Sequence, residues 1–95
     1  MIELKDNVLR QHLNTFPKLI VIFGAEWCPN CQILKEKIKI IEKNGSEYEF
    51  LYIDGDKFEA LADDYHIIKY PTMIKFINGG ETRRKEGSNI KKLIN

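Results

Sequence analysis

The chain carries two cysteines, Cys28 and Cys31, and both stand in the run Trp27-Cys28-Pro29-Asn30-Cys31. Two thiols this close cannot staple a domain, because closing so short a loop removes almost no freedom from the unfolded chain. A reactive dithiol, a fragment of a metal site or coincidence remains. The position of the pair favours chemistry: an apolar strand pattern ends at Gly24 and a helical pattern begins at Cys28. The first turn of a helix offers N–H groups without intrahelical partners and the positive end of the dipole, so a sulfur placed there is easier to ionise. Only the thiolate attacks disulfides. Pro29 fits that first turn, where no intrahelical bond needs its missing N–H. Cys31 lies about one turn further on, within disulfide reach and on the same stripe as Leu34 and Ile38. Cys28 is therefore expected to be exposed, with Cys31 sheltered behind it as the resolving thiol. A zinc site would need two more ligands. His12 and His66 sit on different expected helices without finger-like spacing, so neither receives a role, and no metal or bound cofactor is expected.

The elements that would hold this pair follow from periodicity and punctuation. Asp6 can cap a short helix whose apolar positions are Leu9, Leu13 and Phe16, ended by Pro17. Leu19 to Phe23 is apolar on both faces and reads as a central strand. The helix from Cys28 carries Cys31, Leu34, Ile38 and Ile41 on one face, and Asn44-Gly45 stops it. Glu49 to Asp54 is a second strand, and Asp56 with Glu59 resembles a capping box for a helix bearing Phe58, Leu61, Ala62 and Tyr65. Pro71 opens a third strand, Thr72 to Ile77. Asn78-Gly79-Gly80 then turns the chain into a return strand, Glu81 to Glu86. Arg83-Arg84-Lys85 suits an exposed edge, where charge deters pairing with other chains. Ser88 can cap a last helix with Ile90, Leu93 and Ile94 inward, and Met1 to Leu4 can add an edge strand. The order (β)αβαβαββα is that of an α/β fold with helices on both faces of a sheet.

Composition narrows the function classes. Ninety-five residues allow one compact domain, and 43% hydrophobic with 31% charged residues describes a folded chain. The longest apolar run, Leu19 to Phe23, is five residues, against the roughly 20 that a membrane helix needs. Fifteen Lys and Arg balance fourteen Asp and Glu, too even for a nucleic-acid binder. The charge is segregated, with seven acids and one lysine from Gly45 to Asp64 and seven bases with two acids from Tyr65 to Asn95. Solvated faces or a charged docking surface would both produce that pattern. Met1 to Asp6 shows neither an apolar stretch nor a small-residue cleavage site, so a cytoplasmic location is expected. Monomer is the default expectation for oligomeric state.

Taken in order along essentially the whole chain, these motifs resemble the thioredoxin family. Ala25-Glu26-Trp27-Cys28 followed by Cys31 resembles its active-site approach, and Tyr70-Pro71-Thr72 its cis-proline loop. Phe76-Ile77-Asn78-Gly79 resembles its hairpin turn, and Gly87 the glycine before its last helix. The resemblance implies a single thioredoxin-like domain over residues 1–95, with a central mixed sheet of four to five strands flanked by helices on both faces. It further implies a cis Tyr70–Pro71 peptide and dithiol–disulfide exchange with Cys28 and Cys31 as the catalytic pair. Trp27, Pro29, Tyr70 and Pro71 would contact substrate, an extended strand pairing with the backbone of Tyr70. The implied partners are disulfide-containing proteins and an electron donor, thioredoxin reductase or glutathione.

Three departures qualify the likeness. Pro29-Asn30 replaces the thioredoxin Gly-Pro and is closer to the glutaredoxin order. The buried aspartate of the family aligns with Ile22 and its lysine partner with Phe50, so the Cys31 proton must go elsewhere, with Glu26 or a water as candidates. The Gly-Gly-x-Asp-Asp stretch with which glutaredoxins hold glutathione is missing. The expected function is a thiol–disulfide oxidoreductase that reduces protein disulfides and contributes to redox homeostasis. The alternatives are a glutathione-dependent, glutaredoxin-like reductase and a client-binding module without turnover.

Overall fold

The computed structural model describes residues 1–94. Among them, five strands form one sheet in the order β1-β3-β2-β4-β5: β1 (Ile2–Glu3), β2 (Lys18–Gly24), β3 (Glu49–Asp54), β4 (Thr72–Ile77) and β5 (Gly80–Glu86). Four helices complete the order, α1 (Leu9–Thr15), α2 (Pro29–Lys43), α3 (Glu59–Asp64) and α4 (Lys91–Ile94). β2 lies at the centre, parallel to β3 and antiparallel to β4, and β1 runs parallel to β3 at the edge. This is the α/β order expected from the residue pattern, and the mixed sheet is the one that the resemblance implies.

Alternation along β2 divides the core in two. Leu19, Val21 and Phe23 face one layer with Leu51, Ile53, Ile74 and Phe76, under Leu9 of α1 and Leu61 of α3. Ile20 and Ile22 face the other with Phe50, Tyr52 and Met73, under Leu34 and Ile38 of α2 and Leu93 of α4. Both faces of the central strand are thus sealed, which is why its residues read as an unbroken apolar run. Burying each such side chain contributes about 1.5–3 kcal/mol relative to exposure. No helix among the described residues is long and apolar enough to cross a membrane.

Turn chemistry matches the sequence reading at two places. Asn78 (φ 51°) and Gly79 (φ 83°) both take the left-handed conformation that a tight two-residue hairpin requires. Gly45 (φ 91°) follows the C-cap Asn44 of α2.

The caps differ from expectation. Val8, not Asp6, occupies the N-cap of α1, and among the described residues no side chain caps it; the Asp6 carbonyl accepts the Val8 N–H at 2.7 Å. The Asp56–Glu59 box does not form either, since Phe58 sits at the N-cap of α3. The Asp56 carboxylate is engaged elsewhere, accepting the Trp27 Nε1–H at 2.7 Å. Asp54 shapes this turn in its place, its Oδ1 accepting from the N–H groups of Asp56 (2.9 Å) and Lys57 (3.3 Å). Ser88 acts through its carbonyl, which accepts from Ile90 N–H at 3.0 Å and Lys37 Nζ at 3.2 Å. On the edge strand β5, Arg84 donates to both carboxylate oxygens of Glu81 (2.7 and 2.8 Å) and to the Tyr65 carbonyl (2.8 Å).

Candidate active site

The sheet delivers the dithiol at the C-terminal end of its central strand. Gly24 ends β2, Ala25 to Trp27 make the turn, and Cys28 is the N-cap of α2 with extended backbone (φ −92°, ψ 110°). Its Sγ accepts the Cys31 N–H at 3.2 Å, the place a serine or aspartate oxygen takes in ordinary helix caps. Negative charge on Cys28 Sγ is thereby met by a backbone donor and by the positive end of a fifteen-residue helix. Pro29 follows in the first turn, exposed.

Cys28 is less open than expected. It is 4% exposed, and Cys31 is fully buried. Cys28 N–H bonds to the Ala25 carbonyl at 3.3 Å, its sulfur turns inward as the cap acceptor, and the Tyr70 ring packs over the cluster of Ala25, Cys28 and Cys31. The order of access between the two sulfurs still holds, with Cys28 nearer the surface.

The other residues singled out from sequence converge here. Trp27 is 68% exposed, its indole tethered to Asp56 and its ring centroid 6.0 Å from that of Tyr70. The Tyr70–Pro71 peptide is cis, and Pro71 is buried. Two hydrogen bonds fix this loop: Thr72 Oγ1 donates to the Lys69 carbonyl at 2.6 Å, and Gly87 N–H donates to the Pro71 carbonyl at 2.8 Å. Neither the N–H nor the carbonyl of Tyr70 has a backbone partner among the described residues. The Tyr70 ring owes its place to Gly55, where an added Cβ would collide with the phenol oxygen. A cleft of about 240 Å³ beside the ring is lined by Asp56, Glu59 and Asp63 among others. Burial raises the Tyr70 pKa, and the charges of Asp56, Asp54, Glu59 and Asp63 raise it further.

Glu26 is exposed, and among the described residues its carboxylate makes no hydrogen bond. The polar group on the inner side of Cys31 is Tyr52, which sequence reasoning passed over. Tyr52 sits on β3 directly beside Ile22 in the parallel ladder and is 3% exposed. Period-two alternation from Phe50 was the available signal, since both side chains point to the α2 layer.

Burial pushes the Cys31 thiol up to about 12 from its ordinary 9.0, and a hydrogen bond to Cys28 adds to the rise. The Ala25 backbone and the Tyr52 hydroxyl pull the other way. An unfolded Cys31 ionises near 9.0 while the folded one stays neutral to about 12, so this contribution to stability is fully present below pH 9 and lost as pH rises toward 12. Cys28→Ser protein, whose remaining thiol is Cys31, should lose stability over that window against a Cys28→Ser/Cys31→Ser control. The slope should approach about 1.4 kcal/mol per pH unit in denaturant titrations. Parallel stability curves for the two proteins would show that Cys31 ionises at its ordinary value.

Comparison with known proteins agrees with this geometry. The family model described as thioredoxin matches residues 1–95. A thioredoxin of Mycoplasmoides gallisepticum is 30% identical over 79 residues, covering 83% of this chain and 79% of that protein. The mitochondrial thioredoxin-2 of Schizosaccharomyces pombe is 31% identical over 74 residues, 78% of this chain but only 56% of the relative. Among solved structures, Fasciola hepatica thioredoxin superposes with a TM-score of 0.87 at 30% identity, covering 98% of this chain and 92% of its own. A Plasmodium falciparum thioredoxin reaches 0.91 at 22% identity, covering 99% and 96%, a likeness of fold.

Proposed function

The chain belongs to the thioredoxin family, and from that premise we propose that it is a thiol–disulfide oxidoreductase that reduces disulfides in protein substrates. The observation that carries this reading is the capped pair at the start of α2: Cys28 Sγ held by the Cys31 N–H, with Cys31 buried behind it.

The Cys28 thiolate attacks one sulfur of the substrate disulfide. A Cys28–substrate bond forms as the substrate S–S bond breaks, and the first substrate sulfur leaves with the electron pair and takes a proton from solvent. Cys31 then loses its proton to solvent and attacks Cys28 Sγ. The Cys28–Cys31 disulfide forms, and the second substrate sulfur departs as a thiolate and is protonated. The substrate is reduced by two electrons and the enzyme oxidised by two. The unpaired N–H and carbonyl of Tyr70 can take an extended substrate segment, with Trp27 and Pro29 exposed beside it.

A two-electron thiol donor must restore the pair, either one dithiol or two molecules of glutathione. The acidic lining of the cleft beside Tyr70 repels the two carboxylates of glutathione, which favours a flavin-dependent thioredoxin reductase as donor. A reducing compartment such as the cytoplasm suits both thiols.

In an insulin assay, catalytic amounts of the protein with dithiothreitol should precipitate the B chain well before dithiothreitol alone. Thioredoxin reductase with NADPH should sustain turnover at least about tenfold faster than glutathione with its reductase. A chain that binds insulin without accelerating its reduction would be a client-binding module, and faster turnover with glutathione would make it glutaredoxin-like.

A further inference from the structure

The buried layer beneath the dithiol holds one polar side-chain atom without a partner. Among the described residues, the Tyr52 hydroxyl is the buried side-chain oxygen or nitrogen that makes no hydrogen bond. Buried polar groups are nearly always paired, so an exception calls for a physical account. The hydroxyl is not where it is through loose packing. An added Cβ on Gly24 would collide with Tyr52 Oη, so a glycine at the end of β2 makes its place. The phenol occupies the level of Ile22, the position where the family's acid would stand.

Resting on the oxidoreductase reading, we propose that Tyr52 is a further catalytic residue, its hydroxyl the hydrogen-bond donor that stabilises the Cys31 thiolate during resolution of the mixed disulfide. While Cys31 is a neutral thiol, a weak partner, the hydroxyl stays unpaired. When Cys31 gives its proton to solvent, the charged sulfur becomes a strong acceptor beside a donor that has no competing bond. Tyr52 keeps its own proton throughout.

The surroundings suit a donor and not a base. Burial, the negative charge of Cys31, Asp54 and Cys28, and the approach of the hydroxyl to the Cys31 sulfur push the Tyr52 pKa up, so the phenol remains protonated at neutral pH. The Tyr52 hydroxyl in turn lowers that of Cys31 against the larger effect of burial. Two charged groups act on Tyr52: Asp54 further along β3, whose charge raises its pKa, and Lys35 on α2, whose Nζ stands 4.0 Å from the Tyr52 ring centroid. A cation over the ring draws electron density from it and strengthens the O–H as a donor.

The test is a stopped-flow reaction of the fully reduced protein with excess 5,5′-dithiobis(2-nitrobenzoate). The first thionitrobenzoate released reports attack by one thiol, and the second, independent of reagent concentration, reports resolution by the other. Tyr52→Phe should leave the first phase within about twofold and slow the second roughly five- to twentyfold at pH 7, with its pH profile displaced to higher pH. Gly24→Ala, which keeps the hydroxyl but forces it to move, should slow the second phase in the same sense. Because the deleted hydroxyl is unpaired in the thiol form, Tyr52→Phe should melt no lower than the parent. An unchanged second phase in Tyr52→Phe, or equal slowing of both phases, overturns the assignment. A parent protein with no reagent-independent second phase would overturn the dithiol reading itself, and the Tyr52 role with it.

Discussion

Replacing Cys28 with serine is expected to cut disulfide exchange by roughly a thousandfold or more, while Cys31→Ser leaves the first attack intact and traps the substrate. The asymmetry follows from the helix start. Cys28 Sγ sits nearer the surface, accepts the Cys31 N–H and faces the positive end of α2, so charge is best supported there. Serine can cap the helix in the same way, so Cys28→Ser should keep the fold and lose only the nucleophile. Cys31 lies deeper, and its thiol, pushed up to about 12, is a poor first attacker at neutral pH. Its task begins once Cys28 carries the substrate, when attack on Cys28 Sγ becomes intramolecular. Without it the mixed disulfide persists. Intact-mass analysis of the Cys31→Ser protein incubated with an oxidised protein substrate should show the covalent complex, dispersed by dithiothreitol. Full turnover by Cys31→Ser, or faster alkylation of Cys31 than of Cys28 in the parent, would reverse the roles.

The parts of this site that lie close together along the chain are legible in the amino-acid sequence. A run apolar on both faces has to be the central strand, and a helical pattern starting at Cys28 has to place the dithiol at its end. What escapes such reading is set by contacts between distant segments. Cys28 reads as exposed from the helix start alone, but Tyr70, brought over from the loop before β4, covers it. Asp56 reads as a cap until Trp27, on the separate loop between β2 and α2, takes its carboxylate. Tyr52 reads as one more apolar position in β3; its hydroxyl matters because the parallel register sets it beside Ile22 and because Gly24 leaves room for it. Gly24 and Gly55 themselves look like ordinary strand and turn punctuation. Both are sites where a tyrosine tip occupies the volume of an absent Cβ. Periodicity assigns a residue to a face, and only register between strands says which groups meet there.

The same exchange of residues beneath the sulfurs bears on the reduction potential, which should lie between about −250 and −180 mV, above the roughly −270 mV of thioredoxin. A buried carboxylate under a dithiol opposes the thiolate by like-charge repulsion. Here that level is occupied by the fully buried Ile22, and Phe50, also fully buried, stands where the lysine partner would. Without that repulsion the dithiol form gains on the disulfide form, and a more stable reduced state is a stronger oxidant. Pro29-Asn30 at the start of α2 adds the dipeptide order of glutaredoxins. Each 30 mV corresponds to about 1.4 kcal/mol in a two-electron couple, so the expected range represents roughly one to four kcal/mol of added stability in the reduced pair. Equilibration against glutathione buffers, read by alkylation of the free thiols, measures it directly. A potential at or below about −270 mV would mean that replacing the acid by Ile22 leaves the balance unchanged, and that the dithiol is poised by the helix start alone.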